Sequence, residues 1–207
     1  MRKQETTNRV LLSGKVMYEF QFSHTINGSC YYITQVEVKR TSGYTDHIPV
    51  MASGNIHMLP KSGSYIYVKG QLHSYNKNIN GKCQVLLSVL AWELEVWDIK
   101  DKTIDENQIY LDGYICRQPI YRKTPLGRFI SDVCIAVNLP NNHSDYIPCI
   151  FWNKNAEKAS NLSVGCPIQI WGRIQSRKYL KKSPKKSEER TAYEVSVFKM
   201  IELLPEK

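Results

Sequence analysis

The sequence predicts an all-β protein made of two consecutive, similar five-stranded barrels. Three observations carry that expectation. First, the chain repeats itself. Asn8–Val16 (NRVLLSGKV) is answered by Asn107–Ile115 (NQIYLDGYI), and 46–51 (DHIPVM) by 145–150 (DYIPCI), both at an offset of 99 residues. Two separated matches at one offset mark a duplicated unit. Second, Tyr, Val, Ile and Thr recur in runs of strand length that end at Gly, Asn, Ser or Pro. Third, 207 residues accommodate two domains of about 100 residues, each large enough for a modest core.

In the first copy, strands are expected over 9–19, 30–39, 46–53, 64–75 and 82–97, and in the second over 108–117, 128–138, 145–152, 167–178 and 192–201. Residues 65–70 (YIYVKG) alternate with period two. Between the third and fourth strands of each copy lies a short helical stretch. In the first it falls within 54–61 and is stopped by Pro60; in the second it covers 154–159 and is ended by Asn161 and Gly165. Five strands with a helix between the third and fourth is the order of the OB-fold, a small, partly open barrel. Matched glycines, Gly14 and Gly113 in strand one and Gly70 and Gly172 in strand four, let long strands bend round such a barrel. The copies differ mainly between strands four and five. There 76–81 form a compact Asn/Gly turn, while 179–190 form a longer basic arm. Its Lys/Ser/Pro composition predicts no fixed structure without a ligand. The domains are therefore expected at 1–98 and 107–207. The joining stretch, 99–106, is short and charged and lacks the Gly/Ser content of a flexible linker.

Charge is unevenly placed. The net charge is +9. Residues 1–98 carry ten Lys/Arg against seven Asp/Glu, a balance of +3; the joining stretch carries −1; residues 107–207 carry sixteen against nine, a balance of +7. The second copy is the basic one, as expected for contact with a phosphate polymer or an anionic surface; solubility is the competing explanation. No apolar run approaches the ~20 residues that span a bilayer. Residues 1–7 lack the apolar centre of a secretion signal, so a cytoplasmic protein without membrane attachment is expected. Six cysteines are scattered without a C-x-x-C pair, which argues against a zinc ribbon or a redox motif and for reduced, buried thiols. There is no phosphate loop, no H-E-x-x-H and no H-x-E with a cysteine pair, so no enzyme activity, metal or cofactor is expected. Asp101, Asp105 and Glu106 cluster in the joining stretch and are expected to form a solvated turn.

The second copy carries further motifs in order: Asn107, Leu111-Asp112-Gly113, Pro119-Ile120-Tyr121-Arg122, Pro125-Leu126-Gly127, Ile135-Ala136-Val137-Asn138, 145–152 (DYIPCIFW), Asn155-Ala156-Glu157, Val164-Gly165 and 172–179 (GRIQSRKY). Over nearly all of this copy the chain resembles the bacterial single-stranded-DNA-binding protein family. The first copy resembles it more weakly, at Gly14 and 68–72 (VKGQL). Some members carry two OB domains per chain and pair into dimers. The resemblance thus implies single-stranded DNA as ligand, a homodimer, and a role in replication, recombination or repair beside proteins of those processes. The family's stacking aromatics match Tyr146, Trp152 and Tyr179. Around them lie Arg122, Lys123, Arg128, Arg173, Arg177 and Lys178, with Lys181 and Lys182 on the arm. The chemistry is simple: aromatic rings stack on unpaired bases, and lysines and arginines follow the backbone.

Strand alternation puts Tyr146, Pro148, Ile150 and Trp152 on one face and Ile147, Cys149 and Phe151 on the other. The second set reads as core, which leaves the first for a ligand rather than for filling the barrel. Trp92 and Trp171 stand in apolar strands and are expected to be buried or at an interface. The arm is either a phosphate contact or a solvated loop, and Glu188-Glu189-Arg190 favours the latter. In the first copy His47 and Ser53 replace the two aromatics, leaving Tyr44, His73 and Tyr75 as possible contacts. That copy is expected to bind DNA weakly or to serve assembly. Housekeeping members of the family end in a flexible tail with an acidic tip. Here 201–207 (IELLPEK) follow strand five almost directly, so recruitment through such a tail is not expected and a specialised or mobile-element role is. Two alternatives stay open: a replication or primosome accessory factor using its OB domains mainly to hold proteins, and an RNA-binding OB protein.

Overall fold

A computed structural model of the chain describes residues 7–54, 56, 59–79, 82–97, 105–140, 143–183 and 186–203, with main chain alone for 76–79, 82–85, 181–183 and 186–188. The first half contains β1 (Asn8–Val16), β2 (Gln21–Ile26), β3 (Ser29–Lys39), β4 (Thr45–Ser53), β5 (Tyr65–Ile79) and β6 (Lys82–Val96). The second contains β7 (Asn107–Ile115), β8 (Ile120–Lys123), β9 (Phe129–Asn138), β10 (Ser144–Trp152), the helix α1 (Asn153–Ser160), β11 (Pro167–Ser183) and β12 (Lys186–Glu202). Five strands of each half close on themselves. β1 pairs with β3, β3 with β4, β4 in parallel with β6, β6 with β5, and β5 with β1. The ring β7, β9, β10, β12, β11 repeats this pairing. The molecule is all-β and consists of two tandem five-stranded OB-fold barrels.

Inward positions on each strand are the alternate apolar residues, as period-two packing requires. In β10, Ile147, Cys149 and Phe151 enter the core at 2% exposure or less. Ile109, Leu111 and Ile115 do so from β7, and Val10, Leu12 and Val16 from β1. Close approach explains the matched glycines. A Cβ on Gly14 would overlap the carbonyl oxygen of Glu37, and one on Gly113 that of Ala136, exactly where strand one crosses from one neighbour to the other.

The repeated asparagine has a structural cause. The β1–β5 ladder ends at Val10 opposite Gly70. Beyond it the Asn8 side chain takes over: Nδ2–H donates to the carbonyl of Leu72 at 2.8 Å, and Oδ1 accepts from the Leu72 N–H at 2.9 Å. Asn107 does the same for Ile174, at 2.7 and 2.9 Å. A side-chain amide thus imitates one more strand residue past the end of the ladder.

The two halves share one sheet. β1 pairs antiparallel with β7, from Asn8 opposite Leu111 to Leu12 opposite Asn107. Two polar clasps reinforce this seam, and both use the repeated aspartate. Buried Asp46 accepts hydrogen bonds from the N–H of Ser176 at 2.7 Å and from its Oγ at 3.2 Å. Buried Asp145 accepts from the N–H and Oγ of Ser74, at 2.7 and 3.1 Å. Each long ribbon, β5–β6 or β11–β12, therefore reaches across and is held by the opposite barrel.

Several expectations need correction. Strand one stops at Val16, and two short strands, β2 and β8, were not anticipated because neither buries a continuous face. The signal for β2 was the dipeptide Asn27-Gly28, whose φ values of 48° and 80° form the tight turn into β3. The basic arm is not a loop without structure: β11 and β12 continue as a ribbon to Ser183 opposite Lys186, with Lys178 paired to Glu189 at 3.0 Å. Residues 55, 57 and 58 of the expected helical turn in the first half lie outside the described residues, and those described around them form turns and bends. Asp105 and Glu106 are not a solvated turn. The Asp105 carboxylate accepts from Tyr65 Oη–H and from the Lys39 N–H, and the Glu106 N–H donates to Ser13 Oγ at 2.7 Å. Asp101 lies outside the described residues. Among the described residues no helix is long and apolar enough to cross a membrane.

Candidate nucleic-acid interface

The outer face of the second barrel, where β10, β11 and β12 meet, forms one wall of an open groove of about 1220 Å³. Trp152 ends β10 and is half-buried; its Nε1–H donates to Ser196 Oγ on β12 at 3.0 Å, which fixes the indole plane. Phe198 stands beside it. Trp171 lies opposite Lys199 and Gly172 opposite Val197, so Phe198 is the extra residue of a β-bulge and is 65% exposed. Arg128, Arg177 and Lys178 add positive charge along the groove.

Arg173 is the least ordinary of these cations. It is half-buried, and burial, reinforced by the like charge of Arg40, pushes its guanidinium below the usual arginine range. Among the described residues no hydrogen bond or ion pair engages it. A desolvated cation of this kind is a receptor for an anion.

The opposite wall comes from the first half. The turn between β3 and β4 carries Arg40, whose Nε and Nη2 each lie 2.6 Å from the Asp46 carboxylate, and Tyr44, 72% exposed with the Arg40 guanidinium 5.9 Å from its ring centre. Asp46 thus anchors Arg40 on one side and Ser176 on the other, joining the two walls.

Not all the residues expected from sequence converge here. Tyr146 is exposed, as alternation requires, but it begins β10 while Trp152 ends it. At about 3.3 Å per residue the two stand roughly 20 Å apart, along a track rather than in a pocket. The Tyr146 N–H donates to Ser74 Oγ at 2.8 Å, so the ribbon of the first half passes beside it. Tyr179 is partly exposed on β11, with the Arg177 guanidinium 5.8 Å from its ring centre. Arg122 pairs with Asp132 through Nε at 2.5 Å and Nη2 at 3.2 Å, and that pairing raises its pKa. Lys123 lies over the Phe129 ring. Lys181 and Lys182 belong to β11, but their side chains lie outside those described.

Sequence reasoning missed four residues of this surface. Phe198 was hidden because a bulge reverses alternation. Its counterpart in the first half is Trp92, the extra residue between Ala91 (opposite Gly70) and Glu93 (opposite Lys69). At 48% exposure Trp92 is not buried, which leaves an interface as the other expected place for it. Trp171 is half-buried against Tyr110, under the Lys199 ammonium. Tyr121 and Phe129 form a parallel stacked pair, centroids 5.5 Å apart, on the β8–β9 hairpin. Arg40 gave no signal, since only the three-dimensional fold brings it to the groove.

Residues 106–203 match the single-strand binding protein family. Over these residues, nearly the whole second half, the chain is similar to that family. A single-stranded DNA-binding protein of Oceanobacillus iheyensis is 35% identical over 80 residues, covering 35% of this chain and 50% of that relative. One of Halalkalibacterium halodurans is 36% identical over 80 residues, covering 35% of this chain and 48% of that relative. The chain thus spans about half the length of these curated relatives. The crystal structure of the wild-type single-stranded DNA binding protein from Thermus aquaticus superposes with a TM-score of 0.76 at 20% identity, covering 97% of this chain and 94% of that one. At that identity the likeness is one of fold, and it extends through both halves of the chain, including the half that the family match omits.

Proposed function

We propose that this protein binds single-stranded DNA without catalysing a reaction, by stacking bases on rings and pairing phosphates with arginine and lysine. The observation that carries the reading is the groove in which Trp152 and Phe198 stand beside Arg173, a half-buried cation that no hydrogen bond or close ion pair engages among the described residues, although the Asp46 charge acts on it from further away. The strand runs from this groove along the outer face of β10 to Tyr146, with Tyr179 and the β8–β9 hairpin beside it. The domain formed by 107–207 supplies most of the contact. The domain formed by 1–98 supplies Arg40 and Tyr44 to the groove, and 99–106 join the two. We propose a homodimer acting in replication, recombination or repair, with single-stranded DNA as partner, a setting that the family resemblance supports.

A second reading, a protein-holding module, is favoured by one feature of the first half. Its outer β3–β4 face carries a cavity of about 550 Å³ lined by Tyr18, Ile33, Pro49, Tyr75, Leu86 and Tyr193, with no lysine or arginine among its lining residues.

Fluorescence titration of the full chain with oligo-dT, at two salt concentrations, decides between them. On the first reading binding is salt-sensitive, because condensed counterions are released. Trp152→Ala then weakens it by about 1–3 kcal/mol, the usual worth of one stack. Unchanged affinity in that variant removes the indole from the path. Absence of salt-sensitive binding by the unaltered chain favours the second reading.

A further inference from the structure

The closing seam of the second barrel brings two thiols together. In the β7–β9 pair, Tyr114 lies opposite Ala136 and Ile115 opposite Ile135. One step further, Cys116 lies opposite Cys134, and the Cys116 N–H donates to the Cys134 carbonyl at 3.0 Å. Directly opposed residues of an antiparallel pair have Cα atoms about 4.5–5.5 Å apart. That falls within the range of about 4.4–6.8 Å that a disulfide bridges. Both cysteines are free, Cys116 half-buried and Cys134 6% exposed.

Their surroundings are unequal. Burial pushes the Cys134 thiol up to about 12, and its hydrogen bond with Cys116 adds to the rise, while the nearby Arg117 guanidinium acts in the opposite sense. Cys116 is the more accessible of the two and so meets a dissolved oxidant first. Cys134 stands behind it as the resolving partner.

The location matters as much as the pair. Cys134 lies opposite Pro148 and Ala136 opposite Tyr146. Both therefore stand on the outer face of the barrel, the face that carries Tyr146 and Trp152. Tyr114 projects from the same face, 46% exposed.

We infer that Cys116 and Cys134 form a reversible cross-strand disulfide when the protein meets hydrogen peroxide, and that this oxidation site lies on the single-stranded-DNA track. The second clause rests on the function proposed above; the first does not. The Cys116 sulfur attacks one peroxide oxygen, so that an S–O bond forms, the O–O bond breaks and one water leaves, giving a sulfenic acid. The Cys134 sulfur then attacks the Cys116 sulfur. The S–S bond forms, the S–O bond breaks, and the departing hydroxide takes the Cys134 proton as a second water. Two thiols lose two electrons and the peroxide gains them.

The test uses the full chain, reduced, then exposed to dilute hydrogen peroxide, alkylated and digested without reductant. The expected product is a Cys116–Cys134 linked peptide that dithiothreitol separates, with Cys30 and Cys166 still alkylated as single thiols. Cys116→Ser, a near-isosteric change at a half-buried position, is expected to abolish the link. Recovery of Cys116 and Cys134 as free thiols, or of Cys116 over-oxidised beside a free Cys134, overturns the pairing. A parallel sample with bound oligo-dT is expected to form the link several-fold more slowly. Linkage at an unchanged rate, with the oligonucleotide measured as bound, overturns the proposed DNA track and leaves the thiol pairing standing.

Discussion

Asn8 and Asn107 show how one residue type can be fixed by the main chain. Each completes a ladder that its own strand does not continue, since the main-chain pairing ends opposite Gly70 or Gly172. Each satisfies one N–H and one C=O of the opposing residue, and Asn8 is 3% exposed. Aspartate would offer no donor to the carbonyl, and alanine would satisfy neither group. A buried polar group left without a partner costs about 1–3 kcal/mol. Asn8→Ala or Asn107→Ala is therefore expected to lower unfolding stability by about that amount. Neither side chain lies in the groove, so oligonucleotide affinity measured below the transition should stay as in the parent. Chemical denaturation followed by intrinsic fluorescence measures the first effect, and a loss below ~0.5 kcal/mol would mean that water replaces the amide at this site.

At the scale of elements, the bulges decide what faces the ligand. A bulge inserts one residue and re-aims the side chains around it. In β12 it turns Phe198 outward, and in β6 it turns Trp92 outward. Both glycines opposite are required by contact: a Cβ on Gly172 would overlap the carbonyl oxygen of Ser196, and one on Gly70 that of Leu90. Phe198→Ala is thus expected to weaken oligo-dT binding by about 1–3 kcal/mol. Stability should shift by no more than about 0.5 kcal/mol, as for other exposed positions. Equal affinity for variant and parent would place the DNA elsewhere. These elements also mark what the sequence makes legible. The ten barrel strands were readable because each buries a period-two face, and the face assignment of β10 was readable for the same reason. β2 and β8 were not, since both are mostly exposed and are held by pairing alone. Phe198 was not, because the count that finds outward residues fails at an insertion. Cys116 and Cys134 looked unrelated, since their opposition depends on a strand register that no spacing rule supplies.

At the scale of the whole molecule, duplication has become interlocking. The repeated aspartates, 99 residues apart, each receive a serine from the other half's ribbon. His73 Nδ1 also lies 2.8 Å from the Asp145 carboxylate, while Arg40 occupies the Asp46 carboxylate. Together with the β1–β7 seam, these clasps make the groove a property of both halves, which no reading of either copy alone could give. They also make the halves energetically dependent. Asp46→Ala or Asp145→Ala leaves the half-buried N–H of Ser176 or Ser74 without its acceptor, at about 1 kcal/mol each. Asp46→Ala also frees Arg40 from its anchor in the groove wall. The parent chain is expected to unfold in one transition, whether followed by circular dichroism or by fluorescence. With both clasps removed the β1–β7 pairing and the bonds of Asp105 and Glu106 remain to couple the barrels, and the two probes should then report separate midpoints. Coincident, unshifted midpoints in the double variant would show that the strand seam alone unites the halves, and that the aspartates are retained for another reason.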